Sequence, residues 1–113
     1  MNRKIAQFRE KREKGDELVF KSDFKDFKKF FSLDHKAYLD GAVPAKYKEM
    51  MGLIASMVLR CDDCITYHVD RCLQLGMSKE ELYEVFNIAL IVGGSIVIPH
   101  IQRAFELLEE DKD

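Results

Sequence analysis

One stretch constrains this chain's fold more than any other. Residues Ala45 to Arg60, AKYKEMMGLIASMVLR, are apolar on most faces of a helix after Glu49. A helix that is apolar all round has to be covered on all sides. In a chain of 113 residues a single small core does that poorly. The run therefore calls for helix packed on helix and for contacts between subunits. Pro44 suits the first turn of this helix, and Arg60 ends it.

The other segments read the same way. Residues 2–14 predict a short charged helix stopping at Gly15, and Ser22 is placed to cap a second helix with Asp23 in its first turn. Phe20, Phe24, Phe27 and Phe31 recur at helical spacing and predict one docked aromatic stripe. After Arg60, CDDCITYHVDRCLQLG predicts a helix closing at Gly76. Ser78 and Glu81 form a capping box for residues 79–92. Gly93-Gly94-Ser95 interrupts, and a last helix spans 96–110 with Pro99 in or near its first turn. No strand alternation, internal repeat or low-complexity segment is evident. Six Gly and two Pro are too few for a turn-rich β-sandwich or barrel. The expectation is an all-α bundle of about six helices in a single domain, 1–113, with an N-terminal helical layer over 1–39 and a core over 40–110.

Charge and apolar runs exclude other classes. The net charge is −2, so no chain-wide basic field exists for nucleic acid. Residues 1–30 carry +4 and residues 31–113 carry −6, which sets the first third apart as a layer. Lysines interleaved with its phenylalanines could suggest single-stranded nucleic acid, but the regular periodicity favours an amphipathic helix. The longest apolar run, Val85 to Pro99, is broken by Asn87, Gly93 and Gly94, and a membrane span needs about 18 or more apolar residues. No signal-peptide-like stretch is visible. Three cysteines, an odd number, disfavour a paired secreted framework. The expected setting is cytoplasmic, with no membrane and no nucleic acid.

The chemistry concentrates at Cys61-Asp62-Asp63-Cys64, with His68 four residues on. At a helix start the two thiols sit within disulfide range. His68, at i+4 from Cys64, can reach that sulfur. A thiolate is the nucleophile, and both a helix N-terminus and an imidazole favour it. Asp62 and Asp63 are expected to point elsewhere and complement the helix dipole. Three readings stand side by side: a redox dithiol, a metal site, and buried structural thiols. A single zinc cannot gather Cys61, Cys64, His68 and Cys72, because eleven residues of straight helix rise about 16 Å against Zn–S bonds of about 2.3 Å. Haem attachment needs His directly after the second Cys, where Ile65 stands.

Glu49 lies twelve residues before Cys61. If the chain turns near Arg60 and the two helices pack antiparallel, Glu49 faces the Cys-His stripe. The set Glu49, Cys61, Cys64, His68, with the Leu75-Gly76 turn and the Gly93-Gly94 joint, resembles the alkylhydroperoxidase AhpD-like group of the carboxymuconolactone decarboxylase superfamily. The resemblance covers roughly residues 40–110. It implies an all-α fold assembled as trimers or hexamers that reduces hydroperoxides with its cysteine pair. By carry-over, Cys64 is the peroxidatic cysteine, Cys61 the resolving one, and Glu49 with His68 a proton relay. No cofactor or metal is implied, and a thiol or dithiol protein would supply the electrons. The sequence departs from the group in holding Asp62 and Asp63 where a further His stands between the cysteines. A general thiol–disulfide oxidoreductase fits the same residues, and a non-catalytic helical scaffold retaining the motif is the rival class.

The remaining candidates read as structure. Cys72 is expected to be a buried apolar thiol, His100 structural or interfacial, His35 solvated, and Tyr67 and Tyr83 core residues by default, with a pocket-lining role as the alternative. Gly93-Gly94-Ser95 suggests close helix packing rather than an anion cradle, since no Lys or Arg is adjacent.

Overall fold

The computed structural model of the protein describes residues 2–110. Among these residues the chain forms six helices and no strand: α1 (Arg3–Lys21), α2 (Lys25–Ala37), α3 (Ala45–Val58), α4 (Asp62–Gln74), α5 (Lys79–Gly93) and α6 (Ile98–Glu106), with a 3-10 turn at Ser95–Val97 before α6. The all-α expectation of about six helices holds.

Helix α3 lies at the centre, against both α4 and α5. Its inward face carries Leu53 and Met57, both fully buried. These pack with Ile65 and Val69 of α4 and with Leu82, Phe86 and Ala89 of α5. The outward face of α3 leaves Met51 54% and Leu59 77% exposed, so one protomer does not cover this helix on all sides. Chain reversal between α3 and α4 takes few residues. Arg60 adopts φ 60°, and the Cys61 N–H returns to the Ser56 carbonyl at 3.1 Å. Gly76 closes α4 with φ 88°, a conformation costly for residues with a Cβ. The Ser78–Glu81 capping box forms as the sequence predicts. A Cβ on Gly93 would lie 2.5 Å from Val97 Cγ2, which accounts for a glycine where α5 meets the 3-10 turn.

The first third differs from its sequence reading. Helix α1 runs through Gly15 instead of stopping there. A glycine inside a helix costs only about 1 kcal/mol against alanine, and anchors along α1 outweigh that. Asn2 accepts the Ile5 N–H and donates to the Glu106 carbonyl at 2.9 Å and to that of Glu109. Lys4 pairs with Glu106, and Arg9 grips Asp70 of α4 with two bonds of 2.7 and 2.5 Å. Ser22 is the C-cap of α1, not the N-cap of α2. Its hydroxyl donates to the Val19 carbonyl and accepts the Phe24 N–H, while Asp23 turns the chain at φ 56°. The aromatic stripe is therefore split across a hairpin. Phe20 on α1 meets Phe31 on α2 edge to face at 5.0 Å, and Phe24 packs on Phe27. No residue of α2 is buried, so within the protomer the stripe packs on itself and does not dock on the body. The last helix is shorter than 96–110, because the 3-10 turn takes its start.

The capping box carries a pH dependence. The Glu81 carboxyl is held below its ordinary value, first by accepting the Ser78 N–H and then by the nearby Lys46. A carboxyl whose folded pKa is depressed adds stability above its unfolded value, about 4.3. That contribution is lost as pH falls through the lower folded value. Glu81→Gln should therefore be less stable than the parent at pH 7, and the gap should close in acid. Urea unfolding at both pH values checks this, and a gap that persists in acid would refute it.

Candidate functional site

The site begins at the α3–α4 joint. Cys61 is the N-cap of α4, and its Sγ accepts the Cys64 N–H at 3.3 Å. This places Cys64 in the first turn, with the two Cα atoms 5.3 Å apart and the sulfurs joined as a disulfide. Cys64 is exposed and Cys61 half-buried. Cys72, two turns on, is fully buried and unpaired. Burial pushes its thiol up to about 12, with Glu49 adding to the shift. Cys72 is thus the inert thiol the sequence suggests.

Because α4 runs back along α3, Glu49 meets the Cys-His stripe. His68 Nδ1 lies 2.7 Å from Glu49 Oε2, and the two residues are 7% and 1% exposed. Nδ1 is the ring nitrogen turned to the carboxylate, which leaves Nε2 for other chemistry. Arg71 Nε stands 3.6 Å from the other carboxylate oxygen. A buried carboxylate is tolerated when its oxygens are hydrogen-bonded and paired in this way. The structure brings Glu49 and His68 into direct contact and sets Cys64 and His68 in the wall of one cavity of about 440 Å³.

The imidazole fits there because Gly52 faces it. A Cβ at Gly52 would lie 2.7 Å from His68 Cε1, 2.9 Å from its Nε2 and 2.8 Å from the Tyr38 hydroxyl oxygen. Tyr38 and Tyr67 flank the ring, with centroids at 5.3 and 5.1 Å. Burial raises the Tyr38 pKa, helped by the charges of Asp34 and Glu49, which keeps its phenol a proton donor. Tyr67 is only half-buried. The Arg12 guanidinium lies 3.9 Å above its ring, and Tyr67 lines cavities on both sides. It lines cavities instead of joining the core, the alternative rather than the default of its sequence reading. Tyr83 is likewise outside the core, stacked on Phe105 at 5.1 Å and 42% exposed.

The N-terminal layer supplies the opposite wall. Phe8, Arg12 and Asp16 of α1 border the cavity that holds Cys64. A second cavity of about 360 Å³ reaches Glu49 and Arg71, with exposed His35 on its border. Asp62 does more than complement the helix dipole: its carboxylate takes His100 Nδ1 at 2.8 Å and Arg103 at 3.1 Å from α6. Gly52, Tyr38, Arg12 and the Asp62 partners were not identified from sequence. Gly52 did carry a signal, as a glycine inside a helix needs a reason. Among the described residues no group of three or more His, Cys, Asp or Glu could hold a metal ion. No described helix is long and apolar enough to cross a membrane.

Comparisons with known proteins agree with this fold. The model of the carboxymuconolactone decarboxylase family matches residues 27–110. A crystal structure of a Thermotoga maritima protein is similar at 52% identity and TM-score 0.86, covering 90% of each chain. A second structure from that organism, with TM-score 0.84, 52% identity and coverage of 90% of this chain and 86% of that one, is described as a family protein with a suggested involvement in antioxidative response. A family protein of Legionella pneumophila, solved in its apo form, is 27% identical at TM-score 0.77 over 93% of this chain and 91% of its own. Among curated sequences, an uncharacterised Cupriavidus necator protein is 34% identical over 55 residues. That match spans 49% of each chain, about half the length of the relative.

Gly52→Ala tests the close approach. Alanine favours the helix by up to about 1 kcal/mol, but overpacking at a filled site costs about 1–3 kcal/mol. The variant should lose stability, and the His68 ring resonances should move. A more stable variant with unmoved resonances would refute the contact.

Proposed function

The chain belongs to the carboxymuconolactone decarboxylase family, and on that premise we propose that it is a cysteine-dependent hydroperoxide reductase. The observation that supports this most is the buried Glu49–His68 bond of 2.7 Å one helical turn from the exposed Cys64. Peroxide cleavage needs a thiolate at one oxygen and a proton at the other, and these residues can supply both. The description of the Thermotoga maritima neighbour points the same way.

In the reaction we propose, the Glu49–His68 relay takes the proton from the Cys64 thiol. The thiolate attacks the terminal oxygen of the hydroperoxide, and the O–O bond breaks. Cys64 becomes a sulfenic acid, and His68 returns the proton to the departing alkoxide, which leaves as an alcohol. The Cys61 thiol then attacks the sulfenic sulfur, so the disulfide forms and water leaves. A thiol or dithiol protein donates two electrons and two protons to reopen the pair.

Two features favour Cys64 over Cys61 as the attacking thiol. Cys64 is the exposed residue of the pair and shares a cavity wall with His68. Cys61 Sγ already accepts an N–H from the first turn of α4, which suits a thiolate that must leave when a donor attacks Cys64. Homo-oligomerisation as a trimer or hexamer completes the proposal. It is supported by exposed Met51 on α3, Leu59 at its C-cap, and Ile88, Ile91 and Val92 on α5, large apolar side chains that a second subunit would cover. Sedimentation should give a mass well above 13.2 kDa, and a monomer at micromolar concentration would overturn this part.

Cys61→Ser should leave a trappable sulfenic acid on Cys64 after one equivalent of peroxide, and Cys64→Ser should abolish consumption. Glu49→Gln and His68→Gln should each slow it by about 10²–10⁴. A label on Cys61 in the Cys64→Ser protein, at a comparable rate, would reverse the assignment. Parent protein that consumes no hydroperoxide with any thiol donor would refute the function.

A further inference from the structure

Asp62 occupies an awkward place. It follows Cys61 directly in the chain, so a negative charge is carried next to a residue whose sulfur becomes a thiolate when the disulfide opens. A like charge so near disfavours that thiolate. Asp63, also in the first turn, already complements the helix dipole. Yet both oxygens of Asp62 are engaged by a different element. His100 Nδ1 reaches Oδ1 at 2.8 Å and Arg103 reaches Oδ2 at 3.1 Å. The His100 side chain is only 14% exposed. Its position follows from the chain before it. Gly94 turns at φ 81°, the 3-10 turn follows, and Pro99 fixes the first turn of α6. Lys4, Lys11, Asp63 and Glu106 face the same cavity of about 350 Å³. Of these, Lys4 is paired with Glu106.

We propose that His100 and Arg103 are positioning residues for the cysteine pair: from α6 they hold the carboxylate between the cysteines, His100 by a hydrogen bond and Arg103 as its counter-charge, and so set how readily the Cys61–Cys64 disulfide opens. The proposal rests on the redox reading of that pair. In this chain a histidine is thereby brought to the inter-cysteine turn by tertiary packing, where the sequence itself offers two aspartates.

Equilibration with dithiothreitol tests this at pH 8, where thiolates form. The protein disulfide takes two electrons and two protons, and dithiothreitol closes into its own disulfide. Arg103→Ala removes the counter-charge of Asp62, so the disulfide should become harder to open by about threefold to tenfold, the scale of one charge near a protein surface, and His100→Ala, which removes a hydrogen bond to the same carboxylate, should shift it the same way by less. Asp62→Asn removes the charge, so opening should become easier by a similar factor. His100→Asn keeps a donor near the Nδ1 position and should stay close to the parent. Opposed shifts with rescue by asparagine support the device. A merely structural latch would lower thermal stability in all variants and move the equilibrium in one direction or not at all, and that result overturns the proposal. Hydroperoxide consumption is measured separately. Opposed shifts in a protein that consumes none would remove the proposed function and leave the device standing. An active peroxidase with parallel or absent shifts would remove the device alone.

Discussion

The contact between Glu49 and His68 is the constraint around which the rest is arranged. A carboxylate 1% exposed is unstable unless its oxygens find donors. His68 takes one oxygen and Arg71 stands by the other, and both project from α4. The two helices must therefore lie antiparallel and in one register. Arg60 at φ 60° makes that reversal short. Gly52 lets α3 approach the imidazole to a distance any Cβ would forbid. The same register puts Leu53 and Met57 against Ile65 and Val69, so the polar pair and the apolar seam reinforce one another.

The charge asymmetry along the chain has a structural counterpart. The basic first third lies on the acidic body through particular pairs: Arg9 with Asp70 and Lys4 with Glu106. Arg12 spends its charge on the Tyr67 ring beside the cavity that holds Cys64. Helix α1 is thus a wall of the site. Its position depends on electrostatic contacts more than on apolar burial, since Ile5 is the one residue of α1 that is fully enclosed. Those contacts make its seat more sensitive to salt than the α3–α4 seam.

Much of this was legible in the residues, and what was not had a physical cause. The capping box, the Gly76 stop and the break at Gly93-Gly94 are local signals, so they survive in the structure. Glu49 was found because a spacing that is useless on one helix becomes meaningful on two. Gly15 misled, because the local cost of a glycine is small beside the Asn2 and Arg9 anchors made with α6 and α4. The phenylalanine stripe misled for the converse reason: its period is consistent with one helix, but Asp23 at positive φ divides it. The Arg12–Tyr67 and Asp62–His100 contacts are not legible because their partners lie 55 and 38 residues apart in the chain, and no periodicity encodes that distance.

The three cysteines show what environment alone does to one kind of side chain. Cys72 is enclosed by apolar neighbours and near Glu49, so burial and a like charge both oppose its ionisation. Its thiol stays protonated at neutral pH. Cys61, half-buried at the N-cap, receives a backbone N–H that would stabilise negative charge on its sulfur. Cys64 lies at the surface, in the wall of a cavity it shares with His68. Reactivity toward a small oxidant requires access and a proton acceptor together. Of the three positions only that of Cys64 combines them, whereas the position of Cys61 favours a thiolate once formed. The division of labour proposed for the pair therefore follows from where α4 begins. Moving its first turn by one residue would cost Cys61 its N-cap bond, while the i+4 relation of Cys64 to His68, set by spacing inside α4, would remain.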